Sequence, residues 1–346
     1  MAKSDEEPSH ALTQPVLCPP WLVKAHQHVV GRHSQGNLPQ ALLISGPADI
    51  GKRWFAENLV RTLACLDPKA AHNAAGVTSA CGKCTSCAQL DAGSSAEFRY
   101  LQPAGKSHTV RIDPIRSLVE WLQLAASAGR YRIALVAGAD TMNRAAANAL
   151  LKTLEEPADG AVCLLVADKP AQLPPTLISR CQRLALTVED QHSAIEWLGS
   201  ELPRGMDASV ALHGAHGAPL RAVRESNPDW LKQQVAIDAA WWHLLMHKRS
   251  VGSIVESLKE VPLPVCLSRF LTLSAAAIRH RQGAGQYSPL EMLSDEQMRA
   301  VERVDSVQWF TIHDQLQRLY RIDSASFKTQ TVLEGFLADT RLKING

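Results

Sequence analysis

The chain has 346 residues, 46% of them hydrophobic, which is enough to fill the cores of two or three domains. Lys plus Arg number 36 against 34 Asp plus Glu, and the net charge of +2 excludes the global basic footprint of a protein that grips nucleic acid unaided. No apolar run approaches the ~18 residues of a membrane span, and the opening lacks the basic start and apolar stretch of a signal peptide, so a cytoplasmic protein without a membrane partner is expected.

Residues 1–18 read as a flexible leader. Between 41 and 187, short apolar runs alternate with helical patterns: ALLIS at 41–45, EFRYL at 97–101, RIALVA at 132–137, AVCLLVA at 161–167 and QRLALT at 182–187. This alternation predicts an α/β domain over 19–187, a five-stranded parallel sheet with helices on both faces. Helices are expected at 52–66, 113–127 and 144–156, the last stopped by Pro157. Residues 188–228 read as a small domain of short helices interrupted by HGAHGAP at 213–219. From 229 to 346 five amphipathic segments predict a helical bundle. In its first helix, at 229–248, Trp230, Leu231, Val235, Ala239 and Trp242 are candidates for core or interface, with core the simpler reading.

GPADIGKR at 46–53 follows the first strand and matches a phosphate loop up to its last position. In that motif backbone N–H groups cradle phosphates, the Lys reaches the outer phosphates and a Ser or Thr hydroxyl binds Mg²⁺. Gly46, Gly51 and Lys52 keep the loop and its charge. Arg53 stands where the hydroxyl should be, and a guanidinium offers only donors. Either a strand-to-helix turn survives without nucleotide, or nucleotide binds weakly; the sequence leaves both open.

Eight cysteines include ACGKCTSC, which places Cys81, Cys84 and Cys87 at successive C-x-x-C spacing. With Cys65 at the end of the preceding helix they match a closed tetrahedral Zn²⁺ site of structural type, tying down an insertion over 65–95. His72 is an alternative fourth ligand. An iron–sulfur run would need a further Cys-Pro, and Ala88, Gln89, Leu90 and Asp91 follow instead.

The order of first strand, GPADIGKR, helix with Cys65, CGKCTSC, NALLKTLEEP at 148–157 and SRC at 179–181 resembles the delta-prime family of bacterial DNA polymerase III clamp-loader subunits. The likeness is specific over 20–187 and architectural over 188–346. It implies an AAA+ module, a helical lid and a C-terminal collar. It also implies partners: tau/gamma and delta subunits in a pentamer that opens the sliding clamp and places it on primed DNA.

Aligned on the family, the acidic pair that should hold Mg²⁺ and polarise water falls on Ala137 and Gly138, so ATP and Mg²⁺ should not be productively bound by this chain. Asp140 lies beyond the strand end, where capping or a surface role is expected. Arg180 matches the arginine that enters the ATP site of the adjacent subunit, which makes it a trans-acting arginine finger. The implied protein is a non-hydrolysing stator in a DNA-directed DNA polymerase holoenzyme, whose nucleotidyltransferase activity belongs to the complex. The alternatives are an active tau/gamma-like ATPase and a zinc-dependent DNA-binding module. Residues 81–95 speak against the second, since Lys83 is their only basic residue beside Asp91.

Overall fold

The computed structural model describes residues 18–70, 78–103, 109–124, 131–215, 217–283, 293–321 and 329–345. The expected leader, except Cys18, and His72 lie outside them. The chain divides into two compact units, the first ending at Ala194 and the second beginning at Ile195.

The strands of the first unit are β1 (Ala41–Ser45), β2 (Lys69–Ala70), β3 (Thr78–Ser79), β4 (Phe98–Leu101), β5 (Arg132–Ala137), β6 (Ala161–Ala167) and β7 (Gln182–Ala185). β4-β5-β6-β1-β7 form one sheet in that order, parallel throughout, and β2 and β3 make a small antiparallel ladder in the insertion. All five expected strands are therefore present, giving the expected α/β architecture of a five-stranded parallel sheet flanked by helices.

The sheet is buried on both faces because helices cover both, which is why its central strands are continuous apolar runs rather than alternating ones. Ala41 and Leu43 of β1 join one core cluster with Leu118 of the helix Ile112–Leu122 and Leu150 of the helix Arg144–Glu155. Their neighbours Leu42 and Ile44 point the other way and are equally buried, as are Phe55 and Leu59 of the helix Lys52–Ala64. Asn143 starts Arg144–Glu155 by accepting the Ala146 N–H at 2.8 Å.

Every regular element described in the second unit is a helix, and Trp241 sits at its centre. Its ring lies 4.9 Å from Phe270 and 6.1 Å from Trp309 between centroids. Trp242 is buried as expected, but Val235 and Ala239 are exposed, and the helix Pro228–Leu245 buries Ile237, Ala240 and Trp241 instead. After Ser294 the chain forms two consecutive helices, Asp295–Arg303 and Ser306–Arg321. Asp305 makes the break: its carboxylate accepts the Gln308 N–H at 2.8 Å while the Gln308 side chain accepts the Asp305 N–H at 3.0 Å.

One buried ionic group joins the short helix Ala208–Gly214 to the long helices. Arg269, fully buried, donates to both carboxylate oxygens of Asp238 at 2.6 and 2.7 Å and to the His213 carbonyl at 2.7 Å. Burial pushes the Asp238 carboxyl up, but His213 and Arg269 outweigh it and hold the group below its ordinary value.

Candidate functional site

The phosphate-type loop leaves the carboxyl end of β1, where ligands bind in open parallel sheets. Register sets its surroundings. Ser45 pairs with Ala167, so Gly46 and Asp168, the next residue of each strand, emerge side by side.

Gly46 has φ +149°, and a Cβ there would lie 2.2 Å from the Leu186 carbonyl oxygen, so only glycine fits. Gly51 is left-handed at φ 93° and caps the helix Lys52–Ala64. The Trp21 indole N–H donates to the Ile50 carbonyl at 2.9 Å from a buried position, tying the loop to the N-terminal segment. Lys52 points back into its own loop. Its ammonium donates to the Pro47 carbonyl and pairs with the Asp168 carboxylate at 2.7 Å, with the lysine side chain 4% exposed and the aspartate 52%.

Arg53 turns away toward Glu57, whose carboxylate it meets at 2.7 Å, and its guanidinium lies 5.2 Å from the Tyr100 ring centroid on β4. Ala137 ends β5, and Gly138 follows in a left-handed conformation against Pro103, where a Cβ would stand 2.8 Å from the proline ring. Neither offers a metal ligand or a base. Asp140 accepts the backbone N–H of Lys169 at 2.8 Å. It therefore anchors the turn after β6, the same turn that carries Asp168.

Arg180 stands between the short helix Pro175–Ile178 and β7. Its Nε donates to a Glu155 carboxylate oxygen at 2.5 Å, and one terminal nitrogen donates to the Thr176 carbonyl at 2.7 Å. The side chain is 33% exposed. The two motifs that dominate the sequence, LEEP and SRC, are thus in contact through a guanidinium–carboxylate pair. Lys52 and Arg180 engage different carboxylates, so the structure holds two separate cationic positions.

Cys65, Cys81, Cys84 and Cys87 converge, their sulfurs all within 4.8 Å of one another. Cys65 to Cys84 is 3.9 Å and Cys84 to Cys87 is 3.5 Å. Four sulfurs at ~2.3 Å from a tetrahedral metal would be roughly 3.8 Å apart, so the set has the dimensions of a metal site. Backbone N–H groups of Cys81, Lys83 and Cys84 point at the sulfurs of Cys65 or Cys81 at 3.2–3.4 Å, as suits thiolates. Burial raises Cys84, but N–H groups of Leu66 and Cys87 outweigh it and bring the thiol down to about 6. An ion pair between the buried Arg61 and the exposed Asp91 joins the helix Lys52–Ala64 to the helix Thr85–Asp91, which carries Cys87.

Asp168, Trp21 and Glu155 carry no signal of their own in the sequence. Asp168 becomes visible only through strand register, and Trp21 only through the approach of the N-terminal segment to the loop. Glu155 lies inside a recognised motif, but its partner is 25 positions away.

A family described as DNA polymerase III, delta subunit, matches residues 23–190. The DNA polymerase III subunit delta' of Pseudomonas aeruginosa is 33% identical over 266 residues, covering 76% of this chain and 77% of that protein. The subunit of the same name from Escherichia coli is 29% identical over 280 residues, covering 79% and 80%. The DNA polymerase III subunit tau of Escherichia coli is 30% identical over 200 residues, 54% of this chain and 29% of that protein.

Proposed function

Because the chain belongs to the DNA polymerase III subunit delta' family, we propose that it is the non-hydrolysing stator of the clamp loader. In this reading it joins tau/gamma and delta subunits, and the assembly opens the sliding clamp and places it on primed DNA in the cytoplasm. Arg180 would enter the ATP site of a neighbouring tau/gamma subunit and stabilise the charge on the transferring phosphoryl group.

The observation that carries the reading is the contrast between two cationic positions. At the loop, Lys52 is buried against Asp168, Arg53 replaces the Mg²⁺-binding hydroxyl, and Ala137 and Gly138 replace the carboxylates. At the edge of the sheet, Arg180 is one-third exposed and held in a defined orientation. Such a chain keeps the part of the chemistry that acts across a boundary and lacks the part that acts within one.

Cys65, Cys81, Cys84 and Cys87 would hold one Zn²⁺, whose role is to cross-link the insertion to the helix Lys52–Ala64. All four positions are protein ligands, which leaves none open for catalysis.

Reconstitution with tau/gamma, delta, clamp and primed DNA tests the stator role. Arg180→Ala should slow hydrolysis at the one neighbouring ATP site by roughly 10³-fold or more, the scale of arginine-finger losses, and so lower the stimulated hydrolysis of the complex, while the complex keeps its mass in native mass spectrometry. Normal hydrolysis by the variant complex would remove the finger. ATP turnover by the isolated chain that Lys52→Ala abolishes would favour a tau/gamma-like motor instead.

A further inference from the structure

We infer that the loop at 46–53 is an anion site already filled from within: the Asp168 carboxylate stands in for a phosphate on Lys52 and shuts the loop to the polyphosphate of a nucleotide. The proposal concerns binding, not hydrolysis. The losses at 53, 137 and 138 explain absent Mg²⁺ chemistry, yet Gly46, Gly51 and Lys52 keep the phosphate cradle, and those losses do not say why it should be empty.

Three features identify Asp168 as the gate. The first is its pairing: it lies 2.7 Å from an ammonium that is 4% exposed and also donates to the Pro47 carbonyl. Lys52 therefore has its charge compensated by the chain itself. An arriving phosphate would have to displace a carboxylate and then sit beside it, like charge against like charge.

The second is that its position is built. Ala167 pairs with Ser45 in the sheet, and the next residue is fixed by the Asp140 carboxylate, which accepts the Lys169 N–H at 2.8 Å. Asp140 occupies the neighbourhood of the lost acidic pair, but it serves a backbone turn that aims a different acid at the lysine. The third is the conformation of the loop itself. Gly46 at φ +149° and Gly51 at φ 93° keep a cradle geometry, and Trp21 holds the Ile50 carbonyl. The loop is formed, and its one lysine is in use.

Neutralising the gate should open the site without restoring catalysis. Isothermal titration of the full chain with inorganic triphosphate, and separately with ATP, provides the test. The wild type should bind neither below millimolar concentration, whereas Asp168→Asn should tighten triphosphate binding at least ~10-fold, and Lys52→Ala in the Asp168→Asn background should abolish the gain. Because Arg53 turns to Glu57 and supplies no oxygen ligand, Mg²⁺ should not strengthen binding to the Asp168→Asn protein. Wild-type binding as tight as that of the variant overturns the proposal. So does a variant with an unchanged melting temperature and no gain in affinity. If Asp168→Asn lowers the melting temperature, Asp168→Ser serves as the second variant under the same criteria. These outcomes leave Arg180 untouched, so this proposal and the stator reading stand or fall separately.

Discussion

Arg180 and Glu155, 25 residues apart, are joined by a guanidinium–carboxylate pair at the edge of the parallel sheet. Glu155 is the last residue of its helix, where a negative charge faces the negative end of the helix dipole. The pair offsets that unfavourable placement. Both partners are partly exposed, at 33% and 45%, so solvent screening limits the pair to about 0–1 kcal/mol. Arg180→Ala should therefore leave the urea midpoint of the isolated chain almost unchanged, and any lost hydrolysis in the complex would report lost charge rather than lost fold. Arg180→Lys should behave like the alanine variant in the complex, because an ammonium lacks the planar fork that engages Glu155 and the Thr176 carbonyl together.

The four cysteines predict a metal stoichiometry. Purified protein should contain about one Zn²⁺ per chain by the four-ligand argument, and elemental analysis measures it directly. Cys84→Ala, which removes the thiol already lowered to about 6, should release the metal and make 65–70 and 78–95 susceptible to proteolysis, leaving the parallel sheet in place. A metal-free preparation with unchanged protease resistance would defeat the cross-linking role.

His26 gives the first unit an acid-sensitive point. The ring is 2% exposed and lies edge-on to Phe55, and burial lowers its pKa from 6.5 to about 4 despite a backbone interaction at Asn58 that raises it. The unfolded chain takes up this proton first. The neutral ring therefore contributes its full stability above about pH 6.5, and that contribution falls as the pH drops toward about 4. The loss is roughly 3 kcal/mol across the window. Urea melts at pH 7.5 and 5.0 should show a larger acid destabilisation in the wild type than in His26→Gln.

Asp238 and Arg269 are an all-or-none pair. Removing the carboxylate strands a fully buried guanidinium, which costs about 3–5 kcal/mol. Asp238→Ala should lower the urea midpoint of the second unit sharply, measured by tryptophan fluorescence, since Trp241 and Trp309 stand in its core. Replacing both residues by apolar side chains of matching volume should recover much of the loss.

The three central strands β1, β5 and β6 were readable because strands buried on both faces must be apolar runs, and such runs stand out between helical stretches, whereas the edge strands β4 and β7 are shorter and partly exposed. The helical content of the second half was readable from periodicity, but which residues face its core was not. Val235 and Ala239 fit the expected stripe and are exposed, while Trp241 is central. A helix that is apolar on several sides does not reveal its inward face, because its neighbours decide that.

The sequence by itself determined what the chain lacks and what it can cluster. Arg53 cannot ligate a cation, Ala137 and Gly138 cannot act as acids, and three cysteines at C-x-x-C spacing must lie close together, because these are properties of residue type and short spacing. The tertiary structure decided the pairings: Asp168 on Lys52, Glu155 on Arg180, Trp21 on the loop carbonyl of Ile50. Each joins residues 25 or more positions apart, and electrostatic partnership depends on distance in space, which for such pairs is set by strand register and helix packing and not by sequence separation.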